Sequence, residues 1–180
     1  MTRIVAGSAK GRTLAVPKSG TRPTSERVRE ALFSRLDHMN VLDGATVLDL
    51  YAGTGALGLE AMSRGGAHAT LVEKASAAAR VASANVRSTG LPARVVTADA
   101  RTYLGARNGE ALAGDIDLVF IDPPYDIAEE DMTTVLASLG PWIVPDALVV
   151  VERSTRAPAP TWPDFLVLED QRTWGETVAY

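Results

Sequence analysis

The 180-residue chain contains no cysteine, which excludes disulfides, thiolate metal sites and a cysteine nucleophile together. It has two histidines, so a zinc site would need carboxylates to complete it. No apolar run approaches the roughly 18 residues of a membrane span. The opening "MTRIVAGSAKGR" lacks the apolar core of a signal peptide, so a cytoplasmic protein without a membrane partner is expected. Hydrophobic and charged residues make up 46% and 22%, ordinary values that argue for a folded domain rather than disorder.

Positive charge is scarce overall, with a net charge of −4, but it is not evenly scarce. Residues 1–35 hold eight basic side chains against Glu26 and Glu30, whereas the remainder holds ten basic against twenty acidic. A basic arm on an acidic body is a plausible arrangement for a polyanion. "RIVAG" and "RTLAVP" read as two short β-prone runs, giving an N-terminal hairpin over 1–23 that extends the domain formed by 24–180. Thr24 or Ser25 caps a helix, with Val28, Leu32, Leu36 and Met39 on one face.

From residue 46 onward, strands alternate with helices. "TVLDL", "ATLVE", "ARVVTA", "IDLVFID" and "ALVVVE" are apolar runs, separated by helices beginning near 56, 75, 100 and 128. Such runs indicate an α/β fold with a doubly wound, mostly parallel sheet. "FLVLED" and "ETVAY" are strand-like and closely spaced, which predicts an antiparallel pair at one edge. Pro158, Pro160 and Pro163 mark the loop before them.

Chemistry concentrates where the strands end. "DLYAGTGALG" places Gly53, Gly55 and Gly58 between a strand and a helix, the spacing of a nucleoside-cofactor loop. Asp49 at that strand's end suits a cationic amino group, such as that of S-adenosylmethionine, better than a pyrophosphate. Glu73 ends the second strand, where it can accept both ribose hydroxyls; Asp99 follows the third, where its side chain or a neighbouring amide can reach an adenine. The candidate cofactor set is Asp49, Tyr51, Gly53, Gly55, Glu73, Lys74, Asp99 and Ala100.

The fourth strand ends in "FIDPPYD". Proline cannot donate to a sheet, so the strand stops there in a rigid, donor-poor corner. An exocyclic amine on a nucleobase is a poor nucleophile, and acceptors that hold its N–H bonds favour attack. Asp122 and the carbonyl of Pro123 can supply them, with Pro124 fixing the backbone and Tyr125 stacking on a base taken out of its helix. These four are the candidate catalytic residues, and no metal is required.

These residues sit in a pattern that resembles the class I S-adenosylmethionine-dependent methyltransferases, and more narrowly the RsmD family. The matching stretches are "RIVAGSAKGRTLAVP", "TRPTSERVREALFSRL", "VLDLYAGTGALGLEAMSRG", "ATLVEK", "VFIDPPY" and "WGET", in family order over nearly the whole chain. The resemblance implies a Rossmann-like seven-stranded sheet and methylation of N2 of a guanine, position 966, in 16S ribosomal RNA. It implies as partner the 30S subunit or an assembly intermediate, with contact to ribosomal proteins, and action as a monomer. The RNA-binding candidates are Arg3, Lys10, Arg12, Arg22 and Arg29. Departures are mild: Ala6 stands where glycine is common, Lys10 where arginine is, and Tyr51 where phenylalanine is.

Three other readings use parts of the same pattern. An adenine-N6 or cytosine-N4 methyltransferase would use the same corner, although a DNA-acting one needs a recognition region for which there is little room. An NAD-dependent oxidoreductase would use the glycines but leaves "DPPY" and the basic arm unexplained. A non-catalytic RNA-binding protein has no need of Asp49 and Asp122. His38, His68, Trp142 and Trp162 read as structural, Trp174 as a brace for the last strand near the site, and Arg27 and Arg29 as partners of Glu26 and Glu30.

Overall fold

The computed structural model describes residues 2–18, 25–106 and 114–180. Arg22, the alternative cap Thr24 and the boundary drawn between 23 and 24 lie outside the described residues.

Strands β1 (Thr2–Arg3) and β2 (Thr13–Leu14) pair antiparallel, and hydrogen bonds from the Ile4 amide to the Arg12 carbonyl and from the Gly11 amide to the Ile4 carbonyl close the hairpin. Burial of Ile4 and Leu14 seats it on the domain. Polar contacts fix it there. Glu60, wholly buried on helix α2 (Ala56–Ser63), accepts from the amides of Val5 at 2.9 Å and Ala6 at 3.0 Å. The Ser63 hydroxyl accepts from the Ala9 amide and donates to the Ala6 carbonyl. Gly7 has φ of 85°, and a Cβ there would fall 1.8 Å from the Ser63 carbonyl oxygen. The position of this turn that demands glycine is therefore Gly7, so alanine at position 6 is accommodated. Asn85 grips the far end of the arm, bonding both the amide and carbonyl of Ala15.

Helix α1 (Glu26–His38) starts at Ser25, whose hydroxyl accepts from the Val28 amide. Its buried face is Arg29, Leu32, Phe33 and Leu36, rotated from the expected one, with Val28 and Met39 only half-buried. Phe33 causes the rotation by packing on Phe120, centroids 5.6 Å apart, beneath the Arg64 guanidinium.

The main sheet comprises β3 (Thr46–Asp49), β4 (His68–Glu73), β5 (Ala93–Thr97), β6 (Ile116–Ile121), β7 (Ile143–Ser154), β8 (Arg172–Trp174) and β9 (Thr177–Ala179), in the order β5-β4-β3-β6-β7-β9-β8. Strands β3 to β7 are parallel, and β9 inserts antiparallel between β7 and β8. Alternate residues feed two cores. Val47, Leu118, Phe120 and Val150 face α1 and α2, while Leu48, Val119, Ile121 and Val151 face α4 (Ala100–Gly105) and α5 (Glu129–Ala137). Helix α3 (Ser76–Thr89) links β4 to β5. The chain winds one way from β3 to β5 and returns on the other side with β6, so the switch point lies between β3 and β6, where open α/β sheets bind ligands.

The edge pair differs from expectation. "FLVLED" forms no strand: Phe165, Val167 and Leu168 are exposed, and the Phe165 ring lies beside Gly140, where a Cβ would come within 3.5 Å of it. The antiparallel pair is instead β8 and β9, joined through Gly175 at φ of 60°. An apolar run becomes a strand only beside an open ladder, and the place next to β7 is taken by β9. Strand β7 also begins earlier than "ALVVVE", at Ile143, and a register shift between Ile116 and Leu118 absorbs the extra length.

Candidate active site

A cleft of about 1730 Å³ opens outside the carboxyl ends of β3, β4, β6 and β7. Its walls include the glycine loop, the "DPPY" corner, the first turns of α1 and the β8–β9 turn.

The glycines of the loop divide their work. Gly53 (φ 54°) and Gly55 (φ 84°) adopt left-handed backbone, and Gly53 lines the cleft with open space beside it. Gly58 faces away: a Cβ there would come within 2.3 Å of Leu71 Cδ2, so it lets α2 pack on β4. The third glycine of the fingerprint thus serves helix–sheet packing, and so does Gly55, where a Cβ would meet Leu71 Cδ1 at 3.0 Å; of the three, Gly53 lines the cleft.

Asp49 lies fully buried under this loop. Its Oδ2 accepts from the Gly58 amide at 3.3 Å, and its Oδ1 has no hydrogen-bond partner. Burial, then the charges of Asp122 and Glu73, push its carboxyl up to about 7, against the opposing pull of the Gly58 and Tyr51 amides. A buried carboxylate with one unsatisfied oxygen is costly in isolation and complementary to a cation. That atom meets the requirement of a ligand carrying an ammonium group.

Glu73 ends β4 with Oε2 accepting from the Gly53 amide and Oε1 from the Ala75 amide, both at 2.8 Å. It therefore fixes the glycine loop, and each oxygen keeps a second lone pair for a hydroxyl. Asp99 caps α4 through the Arg101 amide and meets Lys74 Nζ at 3.2 Å. Burial raises its carboxyl, but hydrogen bonds from Lys74 and from the Arg101 and Thr102 amides outweigh this and hold it below the usual range. Arg101 bridges Asp99 and Asp131 at the cleft wall. Tyr51 is half-buried on the α4–α5 core and, like Lys74 and Ala100, lines the cleft; burial, then Asp99, push its hydroxyl to about 12.

In the corner, Asp122 is half-buried, Pro123 buried and Pro124 exposed, and the Ile127 amide donates to the Pro124 carbonyl at 3.1 Å to close the turn. Tyr125 is 61% exposed, a large apolar ring held in solvent at the mouth of the cleft. Trp174, half-buried, lines the cleft with Gly175 and Thr177.

Strand parity reveals one residue that sequence reading passed over. Leu71, Val47, Phe120 and Val150 all face the α1–α2 core, so the residues two further along, Glu73, Asp49, Asp122 and Glu152, share that face on adjacent strands. Glu152 is 3% exposed and lines the cleft. The available signal was the acidic end of "ALVVVE", the same strand-end pattern that identified the other three. Its neighbour Arg153 also lines the cleft and pairs with Glu129 at 2.6 Å.

The basic candidates separate. Arg3 is exposed and 3.4 Å from Glu26; Lys10 is exposed; Arg12 is exposed, with Nη1 donating to the Ser88 carbonyl. Arg29 is a correction. It is 1% exposed, donates to Thr2 Oγ1 and the Arg3 carbonyl, and lies 3.7 Å from Glu60. It holds the hairpin to α2 and cannot meet RNA phosphates, and its acidic partner is Glu60 rather than a residue of its own helix. Among the described residues no cluster of metal-ligating side chains occurs, and no helix is long and apolar enough to cross a membrane.

The family model for Conserved hypothetical protein 95 matches residues 2–180. The ribosomal RNA small subunit methyltransferase D of Escherichia coli K12 is 38% identical over 180 residues, spanning 99% of this chain and 87% of that protein. Its namesake in Haemophilus influenzae is 31% identical, over 95% of this chain and 88% of that protein. A solved protein of Thermus thermophilus superposes with a TM-score of 0.83 at 34% identity, covering 99% of this chain and 97% of that one.

Proposed function

The chain belongs to the Conserved hypothetical protein 95 family, the RsmD family, and from that premise we propose that it methylates ribosomal RNA of the small subunit. The acceptor is the exocyclic N2 of a guanine, and the donor is S-adenosylmethionine. The observation that carries this reading is Asp49's unpaired buried oxygen beneath the glycine loop, whose Gly53 shares one cleft with Glu73 and the acceptor-rich "DPPY" corner. A pyrophosphate-bearing dinucleotide would place negative charge against Asp49, so the glycine loop alone does not favour an oxidoreductase.

S-adenosylmethionine, when bound, supplies an electrophilic methyl group on a cationic sulfur. The chain's own residues supply selection and positioning. Asp49 satisfies the ammonium group, Glu73 offers its remaining lone pairs to the ribose hydroxyls, and Gly53 lets the backbone come close. Tyr51, Lys74, Asp99 and Ala100 enclose the adenine end. Asp122 and the Pro123 carbonyl hold the two N–H bonds of the target amine, which orients the nitrogen lone pair toward the donor. Asp122 would hold the proton that the amine gives up on methylation, whose other product is S-adenosylhomocysteine, and pass it to solvent. Tyr125 stacks on the flipped base, a contact worth roughly 1–3 kcal/mol. Arg3, Lys10 and Arg12 on the hairpin, and Arg22, meet phosphates; the substrate is a 30S particle or assembly intermediate, whose proteins complete recognition, and the enzyme acts as a monomer.

Methyl-labelled S-adenosylmethionine tests this, with unmodified 30S particles, naked 16S RNA and duplex DNA offered in parallel. Label is expected in the particle, recovered as N2-methylguanosine. Label recovered as N6-methyladenosine or N4-methylcytidine, or found only in DNA, contradicts it.

A further inference from the structure

Glu152 occupies the same cleft, the same face and the same level as Asp122, yet the chemistry above gives it no part. The parallel pair Ile121↔Val151 puts Asp122 and Glu152 one residue further on side by side. Neighbouring strands lie about 4.8 Å apart, so the two acidic residues stand at adjacent places on the cleft wall. The Glu152 side chain is one methylene longer and more deeply set. A ligand that brings N–H donors to both carboxylates suits this wall better than one that brings acceptors.

The bases that carry an exocyclic amine differ at the ring nitrogen beside it. In adenine that nitrogen is N1, an acceptor, and in cytosine it is N3, also an acceptor. In guanine it is N1–H, a donor, one carbon away from the N2 amine. A carboxylate next to the amine-holding corner therefore attracts guanine and repels the other two.

We propose that Glu152 is the specificity residue for the base: its carboxylate accepts the guanine N1–H while Asp122 and the Pro123 carbonyl hold the N2 amine. This rests on the methyl-transfer reading above and gives it a base-reading contact. Ionised, Glu152 offers only acceptors, so no adenine or cytosine can satisfy it from the same pose. Tyr125, exposed on the same cleft, covers the ring face.

The test uses 16S RNA assembled from ligated fragments, with either guanine or 2-aminopurine at the methylated position, reconstituted into particles. 2-Aminopurine keeps the amine at C2 and has an acceptor at N1. The unchanged chain is expected to prefer guanine about 100-fold in kcat/KM, the scale of a base-edge contact left unpaired. Glu152→Gln keeps the shape and adds an N–H donor that suits 2-aminopurine N1. It should lose about tenfold on guanine and bring the two substrates within about threefold of each other, with S-adenosylhomocysteine binding retained. A Gln variant that binds S-adenosylhomocysteine and keeps the original preference overturns the proposal. Should the Gln variant not fold, Glu152→Asp gives the answer: withdrawn by one methylene, it should keep the preference but transfer to guanine about tenfold more slowly, and unaltered transfer overturns the proposal. Absence of transfer to guanine by the unchanged chain overturns the parent reading, and this one with it; intact transfer with an indifferent Glu152 overturns this one alone.

Discussion

Asp49→Asn should weaken S-adenosylmethionine binding by about 30- to 1000-fold, the ~2–4 kcal/mol typical of removing one partner of a buried charge pair. The same substitution should abolish a pH dependence. In the unchanged protein the Asp49 carboxyl, raised to about 7 by burial and then by Asp122, must ionise to receive a cation. Affinity should therefore strengthen by up to about tenfold per pH unit as pH rises from 5 toward 7, then level off. The Asn variant should lack that slope. Stability of the ligand-free protein should run the opposite way. The folded carboxyl holds its proton over a range, from the ordinary 3.8 to about 7, in which the unfolded one has lost it. The folded state thus binds more protons there, and this group's contribution to stability falls as pH rises from about 4 to about 7, by up to about 4 kcal/mol. Denaturant titrations of both proteins at pH 5 and pH 7.5, with and without ligand, measure both slopes; equal slopes in the two proteins contradict the role of Asp49.

Asp122→Ala should lower kcat by about 10²- to 10⁴-fold, the range for losing a positioned acceptor at the reacting group. Ligand affinity at neutral pH should change little, because Asp122 contacts the amine and not the donor. A coupled effect separates this from general damage. The Asp122 charge is the second-largest cause of the raised Asp49 carboxyl, so its removal should shift the midpoint of the binding pH profile downward. Single-turnover rates with saturating RNA, together with calorimetric binding across pH, give both quantities. A variant that retains turnover, or whose binding midpoint stays in place, contradicts the assignment.

Much of the site was legible in the sequence because strand ends in a parallel sheet fall on one side of the molecule. An apolar run followed by an acid therefore locates a residue at that end of the sheet without coordinates; Glu73 and Asp122 line the cleft, and Asp49 lies buried beneath the glycine loop. The corner was legible for a different reason: two prolines after a core strand admit few structures. What could not be read depended on partners distant in the chain. Arg29 looks like any exposed helical arginine until Glu60 and the Arg3 carbonyl come against it. The face of α1 turns on Phe33 meeting Phe120. "FLVLED" has a strand's composition and no ladder to join. Gly58 carries the fingerprint spacing, yet Leu71 is what it accommodates. Glu152 belonged to the legible class and was missed because the parity of four strands has to be compared before its face is known.

The central claim is that one face of the sheet, from Glu73 through Asp49 and Asp122 to Glu152, holds donor and acceptor together. A crystal structure of the chain with S-adenosylhomocysteine and a guanine-bearing RNA fragment measures it directly. The account predicts the ammonium group within hydrogen-bond distance of Asp49 Oδ1, the ribose hydroxyls on Glu73, and the guanine N2 between Asp122 and the Pro123 carbonyl. Density for the nucleoside away from Glu73, or for the base outside the "DPPY" corner, would contradict it.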